Sequence, residues 1–142
     1  MNEQLTYLIQ SLDHNEYSYE SEVISKHSID WRKNFKGNAS IVIFPKSIEK
    51  LVNVIKKCNE KEISVVPQGG NTSLVGGSVP LENSKKFQVI INFKKLNKII
   101  NFDPNSFSIQ IESGCILEDI QNFLSKKNFC FPLSIGSRGN CQ

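Results

Sequence analysis

The stretch Pro67-Gln68-Gly69-Gly70-Asn71-Thr72-Ser73-Leu74-Val75-Gly76-Gly77-Ser78-Val79-Pro80 holds four of the chain's 8 glycines, three hydroxyl side chains and no charge. Residues without a β-carbon let successive backbone N–H groups converge on one point, so this composition suits the wrapping of an anion by neutral donors. The donors expected are the N–H groups from Gly69 to Ser73 and the side chains of Asn71, Thr72 and Ser73. A partly buried diphosphate fits such a site, because fixed dipoles replace the water it loses. The plainer reading is a long surface turn between strands. Against it stands the absence of any charge from Ile63 to Leu81, and Val75 and Val79 are expected to turn part of the loop inward.

Spacing excludes two common phosphate loops. No Gly-x-x-x-x-Gly-Lys pattern occurs and no lysine lies between Ile63 and Leu81, which removes a Walker loop. Nor do the glycines fall as G-x-G-x-x-G at the opening of a helix, which removes a Rossmann fingerprint. The remaining reactive side chains form no constellation. Cys58, Cys115, Cys130 and Cys141 include no C-x-x-C pair and no histidine at metal spacing. Buried reduced thiols, no metal, no disulfide and a reducing compartment are therefore expected. His14 and His27 sit in polar surroundings and read as surface residues, while Trp31, the only tryptophan, reads as packing against the next unit.

The 142 residues suffice for one domain with its own core, and 39% hydrophobic with 22% charged residues is an ordinary soluble balance. The formal charge is +3, and among 17 basic residues only Arg32 and Arg138 are arginines. Lysines interspersed with acidic residues describe a solvated surface rather than a nucleic-acid interface. No apolar run approaches the length of a membrane helix or signal peptide, so a cytoplasmic protein without a membrane segment is expected.

The elements that must position the loop follow from periodicity. Leu5, Leu8, Ile9 and Leu12 place an amphipathic helix in the first dozen residues, and residues 1–38 form this helix and a connector of weak periodicity. Ile41-Val42-Ile43-Phe44, stopped by Pro45, reads as a strand buried on both faces. Ser47 offers an N-cap to a helix whose stripe is Ile48, Leu51, Val52, Ile55 and Cys58. Ile63 to Val66, stopped by Pro67, and Phe87 to Phe93 are two further strands. The result is a parallel βαβ unit over about 39–95 with the glycine-rich loop after its second strand, at the carboxyl end where open sheets bind ligands. Over about 96–142 the logic changes. Asp103-Pro104-Asn105-Ser106 is a turn between Ile99–Phe102 and the alternating Phe107, Ile109 and Ile111. A helix carrying Ile116, Leu117, Ile120, Phe123 and Leu124 follows, and then a second small-residue loop in which the chain stops.

Val65 to Gly77 resembles the FAD diphosphate loop of the vanillyl-alcohol-oxidase/PCMH flavoprotein superfamily. The nearest likeness is to its FAD-linked D-2-hydroxyacid dehydrogenases, which include D-lactate dehydrogenase, the glycolate oxidase D subunit and D-2-hydroxyglutarate dehydrogenase. Asp30-Trp31-Arg32, Phe35-Lys36-Gly37, Asp103-Pro104, Glu112-Ser113-Gly114 and Phe131-Pro132-Leu133 match that family in order and spacing. The resemblance implies an α+β, PCMH-type FAD-binding fold. It also implies that Pro67, Gln68, Gly69, Gly70, Asn71, Thr72, Ser73 and Gly76 line the FAD diphosphate. Pro132, Gly136 and Ser137 would fall on a second loop near the flavin. Some relatives attach FAD through a histidine where this chain has Asn71, so a noncovalent flavin is implied. Relatives continue past a pair like Cys141-Gln142 into further FAD-binding strands, a substrate domain and a catalytic histidine. The chain is accordingly expected to be an N-terminal fragment with no catalytic residue of its own, with the 2-hydroxyacid a substrate only of an intact relative. Self-association is expected through sheet surface near Ile109 and Ile111. The rival expectation is a noncatalytic remnant or interaction module with little FAD affinity. A third is a related flavin reaction on another substrate.

Overall fold

In the computed structural model, which describes residues 3–142, helix α1 spans Glu3–Ile9. It is shorter than its apolar stripe, because the Leu12 N–H turns back to the Ile9 carbonyl and closes the helix. Leu8 is fully buried, and Leu5, Ile9 and Leu12 pack around it. A 3-10 turn (His14–Glu16), a two-residue strand β1 (Tyr17–Ser18) and helix α2 (Ser21–His27) occupy the segment whose periodicity was too weak to assign. Long-range contacts hold these pieces. β1 pairs antiparallel with strand β2 (Ile41–Ile43), and the Phe44 N–H donates to the Glu16 carbonyl at 2.7 Å. The Glu16 carboxylate is buried and accepts from the Lys46 and Asp13 N–H groups and from the Lys50 ammonium.

Helix α3 (Ile48–Glu60) is capped by Ser47, whose Oγ accepts the Lys50 N–H at 3.2 Å. Strands β3 (Ser64–Gln68) and β4 (Gln88–Asn92) follow, and the sheet order is β1-β2-β4-β3 with the last three parallel. Alternate residues feed two faces. Ile41, Ile43, Val89 and Ile91 pack under α1 and α3, whereas Val42, Ile90 and Phe44 pack with Val23 and Ile24 of α2. β3 runs on through Pro67 instead of stopping there. It is the edge strand, with β4 as its only neighbour among the described residues, so a residue lacking an N–H is tolerated.

Strands β5 (Ile99–Asp103) and β6 (Ser108–Ile111) form a separate antiparallel ribbon covered on one face by helix α4 (Leu117–Ser125). The Asp103 carboxylate organises the turn by accepting the Asn105 N–H and the Ser106 hydroxyl. Gly114 joins the ribbon to the larger sheet, because a β-carbon there would sit 1.9 Å from the Phe93 carbonyl oxygen. Ile109 and Ile111 pack inward against Cys115, Ile120 and Leu124, contrary to the exposure expected of them. Phe107 lies outside β6 at φ 53° and is 82% exposed, so the turn is one residue longer than the alternation implied. Further expectations of burial fail: Trp31 is 58% exposed, Val75 is 79% exposed, Cys130 is exposed, and Ile48, Val52 and Ile55 of the expected α3 stripe face solvent because the buried side of α3 centres on Val54 and Cys58. Among the described residues no helix is long and apolar enough to cross a membrane.

Candidate functional site

The parallel register aligns Gln68 with Asn92, so β3 and β4 end side by side and the glycine-rich loop leaves from that end. Gln68 is fully buried and has every polar position used. Its Nε2 donates to the His27 and Ser78 carbonyls at 2.8 and 2.9 Å. Its Oε1 accepts from Asn92 Nδ2 at 3.2 Å and lies 2.5 Å from His27 Nδ1. An amide oxygen only accepts, so the imidazole Nδ1 carries the proton. Asn71 adopts φ 54°, donates from Nδ2 to the Ile29 carbonyl at 2.7 Å and accepts from the Ser78 hydroxyl at 2.7 Å. The Ser73 hydroxyl accepts the Val75 and Gly77 N–H groups, each at 3.3 Å. The side chains of Gln68, Asn71 and Ser73 therefore brace the loop. Among the described residues, none of the five N–H groups from Gly69 to Ser73 donates to a protein acceptor. A run of unpaired N–H groups on a braced loop is a cradle for an anion.

Gly69, Gly70 and Asn71 of this run border a cavity of about 390 Å³ built from five places in the chain. Lys26 and His27 come from the end of α2, Gln68 to Asn71 from the loop, Asn92 and Lys94 from the end of β4, and Asn140 and Gln142 from the last residues. Trp31 completes the wall. The approach is tight: a β-carbon on Gly70 would stand 1.6 Å from the Asn140 carbonyl oxygen. Gln142 Oε1 is buried 3.5 Å from where a Gly69 β-carbon would lie and has no partner among the described residues. Burial pushes the His27 imidazole down, with the Lys94 and Lys26 ammonium groups adding to that and the Gln68 hydrogen bond opposing it. Burial, then Lys95 and Lys26, likewise hold Lys94 below its ordinary value. Away from the cavity, burial raises the Cys58 thiol to about 11, so it offers no nucleophile at neutral pH. No cluster of metal-ligating side chains occurs among the described residues.

Of the residues singled out in the sequence, Gln68, Gly69, Gly70 and Asn71 lie on this cavity. Pro67 is exposed in β3, and Thr72 and Ser73 are half-buried further along the loop. Gly76, at φ 71°, sits against the Phe35 ring, where a β-carbon would approach to 2.6 Å, and so anchors the far limb. Pro132 lines a different cavity of about 470 Å³ with Gln121 and Arg138, and Gly136 is exposed. The Ser137 carbonyl accepts the Asn140 and Cys141 N–H groups, forming the turn that brings Asn140 to Gly70. Sequence reasoning missed Lys26, Trp31, Asn92, Lys94, Asn140 and Gln142 as neighbours of the loop, and His27, expected at the surface, is half-buried on the cavity and bonded to Gln68. Lys94 carried a signal, because residues just after parallel strands share one end of a sheet. Lys26 carried none.

A parallel sheet with a braced donor loop at its carboxyl end and an antiparallel ribbon beside it defines an α+β domain of the nucleotide-cofactor class. The particular kind follows from comparison: residues 39–142 match the FAD binding domain family, and the chain belongs to it. It is 36% identical over 146 residues to a mitochondrial D-2-hydroxyglutarate dehydrogenase of Arabidopsis thaliana, covering 94% of this chain and 25% of the relative. It is 42% identical over 115 residues to a putative mitochondrial D-lactate dehydrogenase of Schizosaccharomyces pombe, covering 81% and 21%. A D-2-hydroxyglutarate–pyruvate transhydrogenase of Saccharomyces cerevisiae is 35% identical, covering 99% and 28%. The chain thus spans about a quarter of the length of these relatives. Among solved structures, an alkyldihydroxyacetonephosphate synthase superposes with a TM-score of 0.87 at 18% identity, over 98% of this chain and 27% of that one. p-Cresol methylhydroxylase superposes at 0.78 with 22% identity, over 96% and 27%. The fold is therefore the PCMH-type FAD-binding fold.

Proposed function

We propose that this chain holds the diphosphate of FAD for a flavin-dependent oxidoreductase of D-2-hydroxy acids. The observation that carries the reading is the run of N–H groups from Gly69 to Asn71, unpaired among the described residues, on a cavity where Gly70 leaves no room for a β-carbon. The donor set fits the group, since neutral N–H donors beside two lysines complement a phosphate diester. Gly69, Gly70, Asn71 and Thr72 would offer backbone N–H groups, while Gln68 and Asn71 keep the loop in shape with their side chains. Gly76 anchors the loop, and Pro132, Gly136 and Ser137 belong to the segment assigned to the flavin end. Bound FAD would supply the hydride acceptor for oxidation of the carbon bearing the substrate hydroxyl. The chain's own part is to bind, orient and exclude water, and no residue in it is assigned as catalytic acid or base. Asn71 offers an amide committed to Ile29 and Ser78 rather than a nucleophilic ring nitrogen, which supports noncovalent attachment.

The second reading is a noncatalytic module of the same fold with little FAD affinity. It draws on the chain's spanning about a quarter of its relatives' length, because a partial site keeps the ordering cost and loses contacts. Purified protein equilibrated with FAD separates the two. The first expects flavin that co-elutes with the protein, raises its melting temperature and is released on denaturation. It also expects Gly70→Val to lower FAD affinity at least about ten-fold by displacing Asn140 from the loop. Colourless protein whose melting temperature ignores FAD would leave only the second. Both readings expect no 2-hydroxyacid oxidation by the chain alone. A cytoplasmic location belongs to this proposal, and fractionation that found the chain in mitochondria, where two of the relatives are named as residing, would overturn it.

A further inference from the structure

Most strongly engaged lysines of this protein have oxygen partners. Lys46 and Lys50 meet Asp13, Lys50 also meets Glu16, and Lys57 donates to the Tyr7 carbonyl and the Ser11 hydroxyl. Lys26 and Lys94 differ. Both line the glycine-loop cavity, neither forms an ion pair among the described residues, and no Asp or Glu side chain lines that cavity. The Lys26 ammonium adds to the burial and the Lys95 charge that lower Lys94, and both Lys26 and Lys94 disfavour a proton on the neighbouring His27. Two ammonium groups on one cavity with no Asp or Glu side chain in its lining favour a bound anion there.

Their positions are fixed from different elements. Lys26 stands in the last turn of α2, ahead of the residues matched to the FAD binding domain family. Lys94 follows β4, with its N–H donated to Asn92 Oδ1 at 3.1 Å and its ammonium 4.1 Å above the Phe44 ring. On the same cavity, the N–H groups of Gly69, Gly70 and Asn71 are unpaired among the described residues. We propose that Lys26 and Lys94 form a two-armed cationic clamp across the glycine loop that binds the phosphates of a diphosphate ester, with the loop N–H groups as its floor. The inference rests on the FAD reading for the identity of the ester, but not for the existence of the clamp. It gives the segment before residue 39 a direct part in ligand binding, which a fold-level description of the FAD domain alone does not contain.

The test titrates the full chain with FAD, ADP and inorganic pyrophosphate at low and high salt. Calorimetry and the fluorescence of Trp31, which lines the same cavity, provide the readouts. Wild type is expected to bind all three, more weakly as salt rises, and Lys26→Gln/Lys94→Gln to lose about ten-fold or more in affinity together with most of the salt dependence. Both lysines are exposed, so the double variant is expected to melt with wild type. If the folded double variant binds pyrophosphate and FAD like wild type, the clamp is wrong and the FAD reading stands. Lysine-dependent pyrophosphate binding with no binding of FAD or ADP would keep the clamp and sink the FAD reading. Folded wild type that binds none of the three overturns the clamp.

Discussion

Gln68 illustrates how a residue can belong to a binding loop without touching what the loop binds. Its type and place within a glycine-rich stretch read as a ligand donor, yet its amide spans His27, Ser78 and Asn92 and leaves no polar position free. That arrangement joins α2, the far limb of the loop and the end of β4 through one buried side chain. Gln68→Ala would leave two carbonyls and the His27 Nδ1–H without partners in a buried setting, at a cost of about 3 kcal/mol. We expect a fall in melting temperature of about 10 °C for a chain of this size. A variant melting within a degree or so of wild type would show that water replaces the amide and that the loop does not depend on it. The sequence carried the loop's composition and its exit from a strand, because glycine and hydroxyl content is local. It could not carry the division of labour between side chains that brace and N–H groups that stay free, because every bracing partner of Gln68 lies at least ten residues away.

At the scale of elements, legibility followed how local the cause of each element is. The parallel unit β2-α3-β3-β4 was readable, since buried strands write continuous apolar runs and Ser47 writes a cap. β1 and α2 were not, because β1 is two residues held by pairing with Ile43 and Val42, and α2 is seven residues with none fully buried. The ribbon β5–β6 was readable as a hairpin, but which residues face outward was not. A register irregularity between Ile99 and Asn101 turns Ile100 to solvent at 53% exposure, while Ile109 and Ile111 face α4. With only two strands, both ribbon edges are unpaired among the described residues, and Ile100 and Phe107 add exposed apolar surface. Concentration-dependent self-association through this ribbon is therefore expected. Ile100→Lys should move the sedimentation coefficient toward the monomer without lowering the melting temperature. If the variant associates as wild type does, the contact lies elsewhere and the exposed face of α3, with Ile48, Val52 and Ile55, becomes the next place to test.

Across the whole molecule, residues 3–38 are attached to the sheet by apolar packing, by β1 pairing and by the titratable groups around Glu16, and the last make a definite prediction about acid. Burial alone would raise the Glu16 carboxyl, but the Lys50 ammonium and the Asp13 and Lys46 N–H groups outweigh it and hold it below its ordinary 4.5. Lys50 and then Lys46 hold the exposed Asp13 carboxyl below 3.8. His27 lies below 6.5, first through burial. A group whose value is depressed on folding contributes stability above its unfolded value and loses it as pH falls through the folded one. Stability should thus be flat near neutrality, decline below 6.5 as unfolded His27 gains a proton the native state resists, and fall more steeply below 4.5 as Glu16 follows. Urea midpoints at about pH 7.5, 5.5 and 4 would trace both stages. Glu16→Gln should cost about 2 kcal/mol at neutral pH, discounted for the partial exposure of Lys50, and should flatten the lower stage alone. A variant with the wild-type acid profile would mean that the buried carboxylate does not hold the N-terminal segment. Because that segment supplies Lys26, Trp31 and His27 to the cavity, acid that releases it should also open the proposed binding site. Loss of ligand affinity that tracks the lower stage of unfolding would tie the two, whereas affinity that outlasts the segment's release would confine the site to residues 39–142.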